Sequence, residues 1–253
     1  MARQKLGQHF LIKGSVLERI SAAVCPVHQE TVVEIGPGRG ALTEKLLGRA
    51  SRVVAIELDS YLAAHLRLKF PGDALEVVEA DALETDLAQW GSVPFAGNLP
   101  YYAATPIIAK TVRLPIPRAV YLIQKEVAER LVAKPGTRDY GLLTVATAIF
   151  ARVRMMFEVK PTAFHPPPKV DSAVVLIEPH APPPELDNPG GFLDFAAQCF
   201  RQKRKTIRNN LAEIYGRDTV SGWPEAGLRA EQIPLERLLE VYGRVANLKP
   251  PSS

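Results

Sequence analysis

Apolar positions along this chain change their period repeatedly, and each change marks an element. Val16, Leu17, Ile20, Ala23 and Val24 recur at helical spacing and predict a helix over residues 15–24. Residues 31–35 are then β-branched at Val32, Val33 and Ile35 and stop at a glycine, which predicts a strand followed by a helix start through residues 44–47. A second strand is expected over 51–59, ending in Glu57 and Asp59, a third over 75–82, ending in Asp81, and a fourth over 93–97. Residues 119–123 are almost wholly apolar, as in a strand covered on both faces. Helices are expected over 105–112 and over 124–132, where Glu126 and Arg130 stand at i, i+4. The apolar segment 140–150 predicts another helix beside the sheet, and 152–159 and 170–177 read as the last strands.

Strands and helices alternating at this spacing predict an α/β doubly wound domain, in which ligands bind at the carboxyl ends of strands. Gly36, Glu57, Asp81 and Asn98 all fall at such ends. This fourfold coincidence argues for one shared site. Prolines concentrate at 161–168 and 179–189, and the second cluster predicts a linker. A sheet domain over 1–180 and a small helical domain over 181–253 follow, with helices expected over 192–211 and 234–245. Arg201, Lys203, Arg204, Lys205 and Arg208 lie within eight positions with no acid among them, a density that favours phosphate contact over an ordinary solvated face.

Charge and composition constrain little beyond this. A net charge of +4 permits a nucleic-acid partner without demanding one. Two distant cysteines form no metal-spaced pair, the first residues lead into no apolar signal core, and no apolar run approaches the roughly 20 residues of a membrane span. These features predict a reduced, cytoplasmic protein with no membrane contact and no metal.

The chemistry is concentrated in two motifs. Residues 31–43 place Gly36, Gly38 and Gly40 between a strand and a helix start, where backbone can approach a ligand closely and a helix N-terminus offers free N–H groups. Glu57 follows Gly36 by 21 positions and can accept from both ribose hydroxyls of a nucleoside. Gly36, Gly38 and Ala41 also fit the loose dinucleotide pattern. Glu34 before the glycines, their strict alternation, and the proline and arginine between them favour S-adenosyl-L-methionine, which has no diphosphate to bind. Asp81, at the end of a third strand in register with Glu57, reads as an acceptor for the adenine amine, with a solvated loop acid as the bland alternative.

The second motif is Phe95-Ala96-Gly97-Asn98-Leu99-Pro100-Tyr101-Tyr102. Asn98 offers an amide oxygen. Leu99 precedes a proline and is held extended, so its carbonyl is aimed, and Pro100 brings no N–H to compete. Two acceptors beside the Tyr101 ring suit the exocyclic amine of a flat base. A turn with a packed tyrosine is the bland alternative. Phe164, in a proline-stiffened loop, can supply a second stacking wall opposite Tyr101.

Five segments in order carry a family resemblance: Gly7-Gln8-His9-Phe10-Leu11, Glu34 to Gly40, Asn98 to Tyr101, Phe164 to Ser172 and Arg204 to Leu211. The chain resembles the ribosomal RNA adenine dimethyltransferases over residues 4 to about 245, nearest to their small-subunit branch, with Lys13-Gly14 standing where an acidic residue is expected. The resemblance implies a Rossmann-like methyltransferase domain with a seven-stranded sheet and a helical C-terminal domain. It implies S-adenosyl-L-methionine as donor and, as target, two adjacent adenosines near the 3′ end of small-subunit ribosomal RNA in a 30S particle, each methylated twice by a monomeric enzyme. By family pattern Gln8, His9 and Leu11 lie near the methionine part of the donor, with Gly36 and Gly38 approaching it. Glu57 with Leu58 takes the ribose side and Asp81 with Ala82 the adenine. Asn98, which also borders the donor, and Leu99, Pro100 and Tyr101 hold the target amine. Tyr101 and Phe164 stack its base, and Lys169 and the five basic residues from Arg201 to Arg208 meet RNA. A large-subunit methyltransferase of the macrolide-resistance type and an assembly factor whose main role is RNA binding are the alternatives. A nicotinamide oxidoreductase is the poorest fit.

Overall fold

The structure, a computed structural model, describes residues 9–180 and 186–246. In chain order the elements are β1 (Phe10–Leu11), α1 (Gly14–Val24), β2 (Gln29–Ile35), α2 (Ala41–Leu47), β3 (Ala50–Glu57), α3 (Ser60–Lys69), β4 (Leu75–Glu79), β5 (Phe95–Asn98), α4 (Ala104–Thr111), β6 (Ala119–Gln124), α5 (Lys125–Leu131), α6 (Leu142–Ala148), β7 (Ala151–Val159), β8 (Phe164–His165), β9 (Ser172–Pro179), α7 (Pro189–Phe200), α8 (Ile207–Tyr215), α9 (Arg217–Ser221) and α10 (Leu235–Ala246).

Seven strands form one sheet in the order β4-β3-β2-β5-β6-β9-β7. β9 runs antiparallel to both its neighbours and every other adjacent pair is parallel. The order reverses between β2 and β5, so the carboxyl ends of these two strands flank a crevice, the usual ligand position in open α/β sheets. Val32, Val33, Val53, Val54, Val120, Tyr121 and Val174 are wholly buried, which is why these segments read as apolar runs instead of alternating ones. β1 and β8 pair in a separate antiparallel ribbon, Phe10 opposite His165 and Leu11 opposite Phe164. The stretch around Phe164, expected as a proline-rich loop, therefore has its backbone tied to the N-terminal strand.

The chain divides into two compact units. The boundary is not a single cut near residue 180, because Glu129–Phe150 groups with the residues after 180. Within the segment 140–150, expected beside the sheet, Leu142–Ala148 forms α6, and Tyr140, Val145 and Ile149 share a core with Phe192, Phe195, Leu211 and Leu238. Tyr140 donates its hydroxyl to the Ile233 carbonyl at 3.1 Å within that core.

The helix expected over 192–211 is two helices. α7 ends at Phe200, residues 201–206 turn, and α8 begins at Ile207. Asn210, 1% exposed, donates its amide to the carbonyls of Cys199 at 2.7 Å and Gln202 at 3.3 Å and so holds the turn. The first free N–H groups of α8 are taken by the carbonyls of Leu228 and Ala226. No helix among the described residues is long and apolar enough to cross a membrane.

Candidate functional site

The glycine turn after β2 reverses the chain into α2. Gly36, Gly38 and Gly40 all have positive φ, +69°, +58° and +78°. At Gly40 the requirement is doubled, since a Cβ there would meet Phe70 at 2.6 Å and Leu66 at 2.8 Å. The turn is tied to the next strand by its own backbone: the Gly36 N–H donates to the Ile56 carbonyl at 3.0 Å and the Gly38 N–H to Glu57 Oε2 at 3.0 Å.

Glu57 ends β3 at 5% exposure, and the Asp59 N–H donates to its Oε1 at 2.9 Å. Each carboxylate oxygen is thus oriented by one backbone donor and keeps an acceptor direction for a ligand. Burial raises its pKa, against the backbone bonds from Asp59 and Gly38. Asp81 follows β4, and its Oδ1 accepts the Leu83 N–H at 2.9 Å.

A second buried acid stands behind the glycines. Glu34, 1% exposed, accepts from Thr43 Oγ1 at 2.6 Å, a bond between the end of β2 and the start of α2. Burial pushes its carboxyl up to about 7; the Thr43 bond opposes the shift and the Glu57 charge adds to it. The pair was not anticipated: nine positions separate the two residues, and only the reversal of the chain at the glycines brings them together.

β5 delivers Asn98 to the crevice. Asn98 Nδ2 donates to the His9 carbonyl at 3.0 Å, so the amide is turned with Oδ1 as the open acceptor. The Leu99 N–H donates to the Leu122 carbonyl at 3.0 Å and fixes the extended link before Pro100. The Pro100 carbonyl takes the N–H groups of Ala103 and Ala104, and α4 starts there. The Tyr101 ring lies 5.9 Å from the His9 ring, tilted by 33°, and its buried hydroxyl has no hydrogen-bond partner among the described residues. His9 is anchored in turn by Nδ1 on the Pro166 carbonyl at 2.8 Å.

These parts surround one cavity of about 320 Å³. Its walls include His9, Leu11, Gly36, Gly38, Glu57, Leu58, Asp81, Ala82, Asn98, Leu99, Pro100, Tyr101 and Phe164. Glu34, Phe10 and Tyr102 line it as well, and the sequence had assigned none of them a place there. Phe164 is 4% exposed and packs into the core while it closes one wall. Gln8 lies outside the described residues. Lys169 is exposed and does not line the cavity.

The basic segment lies in the second unit. Arg201, Lys203, Arg204 and Lys205 sit on the turn between α7 and α8, and only Arg208 is on a helix. Arg201 pairs with Glu213 at 3.2 Å, and Lys203 donates to the Arg138 carbonyl. A run of like charges is better spread over a turn than stacked along one helix face.

A glycine turn, a buried acid at the end of the neighbouring strand, and a sheet ordered as above are the architecture of the Rossmann-like methyltransferases. The chain belongs to the ribosomal RNA adenine dimethylase family, whose family model matches residues 1–240. It is 42% identical to a ribosomal RNA small subunit methyltransferase A of Acidobacterium capsulatum over 95% of this chain and 90% of the relative. It is 38% identical to the protein of that name from Bordetella avium, over 95% and 94%. Among solved structures it is similar to a dimethyladenosine transferase from Plasmodium falciparum (TM-score 0.80, 26% identity, 94% of this chain and 98% of that one). It is also similar to the 23S rRNA methyltransferase ErmE (TM-score 0.70, 30% identity, 92% and 99%).

Proposed function

We propose that this enzyme transfers methyl groups from S-adenosyl-L-methionine to the exocyclic amines of two adjacent adenosines near the 3′ end of 16S ribosomal RNA, twice at each, within a 30S particle. The observation that carries the reading is the Asn98 amide, turned by the His9 carbonyl so that its oxygen is the acceptor in the cavity that also holds the glycine turn and Glu57. The relatives named for the small subunit favour that RNA; the likeness to ErmE keeps a large-subunit target as the second reading.

The donor fits the residues present. Glu57 takes the ribose hydroxyls, Asp81 and Ala82 the adenine, and the turn at Gly36 and Gly38, with His9 and Leu11, the methionine end. The adenine amine is a poor nucleophile because its lone pair is spread into the ring. Accepting its hydrogens at Asn98 Oδ1 and the Leu99 carbonyl favours a pyramidal nitrogen with its lone pair aimed at the methyl carbon. With the donor bound, the nitrogen–carbon bond would form as the donor's carbon–sulfur bond breaks, the electron pair returning to sulfur, and the methylated nitrogen, then acidic, would lose its proton to water. Most of the gain is positioning in line. The base must leave its stack, at a cost of a few kcal/mol, and Tyr101 with Phe164 receives it. Lys169 and the basic turn then meet the phosphates. A monomer in the cytoplasm suffices for this chemistry.

The test incubates the protein and donor with unmethylated 30S particles, 50S particles and naked RNA, and maps methyl groups by mass spectrometry. Two dimethyladenosines in 30S-derived RNA are expected. Methylation confined to 50S RNA would replace this reading with the second.

A further inference from the structure

We propose that Lys110 is a positioning residue for the donor's adenine: its ammonium holds the loop over residues 81–85 in the shape that presents Asp81 and Ala82. The inference rests on the reading above that these two residues receive the adenine.

Lys110 lies in the last turn of α4, the helix that begins directly after the Asn98–Tyr101 segment. Its Nζ donates to the carbonyls of Ala82 at 3.2 Å, Leu83 at 2.6 Å and Thr85 at 2.6 Å. An ammonium has three hydrogens, and all three are spent on one loop. A lysine on a helix surface ordinarily lays its stem on the protein and keeps its head in water.

The decisive geometry is at the peptide between Ala82 and Leu83. Its carbonyl is held by Lys110 at 3.2 Å, and its N–H donates to Asp81 Oδ1 at 2.9 Å. The orientation of the Asp81 carboxylate therefore depends on a peptide whose other end the ammonium fixes. The Asp81 carbonyl closes the turn from the opposite side, accepting the N–H groups of Glu84 at 3.1 Å and Thr85 at 2.9 Å and the Thr85 hydroxyl at 2.7 Å. Converging carbonyl dipoles repel unless a cation stands at their focus. Without the ammonium the turn opens, the 82–83 peptide rotates, and Asp81 loses the bond that aims it. Glu57 and the glycine turn are held by other elements, so the loss is confined to the adenine end of the donor.

The test compares wild type with Lys110→Met and Lys110→Arg by titration calorimetry with two ligands, S-adenosylhomocysteine and its deaminated hypoxanthine counterpart, which lacks the amine that Asp81 receives. For Lys110→Met, binding of S-adenosylhomocysteine should weaken about tenfold, the size of one well-made hydrogen bond to a charged group. Binding of the deaminated ligand should weaken by less than about twofold, so the preference between the two shrinks. In turnover the effect should fall on KM for the donor and not on kcat, and Lys110→Arg should restore most of the preference. Equal loss for both ligands, or an unchanged preference, would overturn the inference. Should Lys110→Met not fold, Lys110→Gln, whose head stops short of the carbonyls, gives the same comparison. Asp81→Ala is run in parallel. If it keeps the preference, the assignment of the adenine to Asp81 is wrong; if it loses the preference while Lys110→Met keeps it, only the role given to Lys110 is wrong.

Discussion

Replacing Glu34 by glutamine should change the pH dependence of stability in a direction set by burial. The Glu34 carboxyl ionises at about 7 in the fold, against an ordinary value of 4.5, with burial the largest cause. A raised folded pKa on an acid means that the folded state holds its proton longer than the unfolded chain does. From pH 4.5 upward the unfolded chain gains from ionising a carboxyl that the fold still keeps protonated. Stability is therefore lost progressively between pH 4.5 and about 7 and stays lower above that window. At about 1.4 kcal/mol per pH unit, a shift from 4.5 to about 7 corresponds to roughly 3 kcal/mol. Glutamine has nearly the same volume, never ionises, and keeps an oxygen to accept from Thr43. The variant should match wild type within about 1 kcal/mol at pH 4.5 and exceed it by roughly 3 kcal/mol at pH 8.

The assay is urea unfolding at pH 4.5, 6, 7 and 8, followed by Trp90 fluorescence in a Trp223→Phe background. Trp90 belongs to the sheet unit and Trp223 to the other, so the background confines the signal to the unit that holds Glu34. Carboxylates distant from Glu34 titrate in the same range but are common to both proteins and cancel in the difference, whereas Glu57, whose charge adds to the Glu34 shift, belongs to the effect being read. A difference that does not grow with pH between 4.5 and 7 would refute the assignment of the shift to burial of Glu34. So would a variant less stable than wild type at pH 8.

Asn98→Ala should abolish methyl transfer while donor affinity, read by calorimetry, stays within a few-fold of wild type; near-normal turnover would remove Asn98 from the role given to it. Tyr101→Ala should raise KM for the RNA substrate by roughly 5- to 150-fold, the equivalent of about 1–3 kcal/mol for one stacked base, and leave donor binding unaffected. A change well below that range would mean that the base stacks elsewhere. Gly40→Ala forces a left-handed backbone on an L residue and drives a methyl against Phe70 and Leu66, so the unfolding free energy of the sheet unit, read by urea unfolding, should fall by at least the roughly 1–2 kcal/mol of the backbone strain alone.

What the sequence disclosed and what it concealed divide along a physical line. The central strands were legible because burial on both faces leaves an apolar run, and the glycine turn because positive φ disfavours other residues. The two-helix break at residues 201–206 was not. Phe192, Phe195, Ala196 and Cys199 are followed eight positions later by Ile207 and then by Asn210 and Leu211, a spacing that keeps the helical period in step across the turn. Periodicity is blind to a break that preserves phase. The helix over Leu142–Ala148 was legible as a helix and misplaced as to neighbour, since an apolar stripe states that something covers it and not what. The contacts that give the site its shape were hidden for a further reason. Asn98 is set by the His9 carbonyl, the Asp81 loop by Lys110 on three carbonyls, and the Arg201–Lys205 turn by Asn210 on two more. Every residue carries a carbonyl, so no residue type marks the receiving end, and the donor alone looks like a surface lysine or a turn asparagine. Side chains that meet a ligand, such as Asn98, Glu57 and Asp81, differ from their neighbours in kind, and that difference is written in the sequence. The bonds that aim those groups end on atoms common to the whole chain, and only the folded path identifies them.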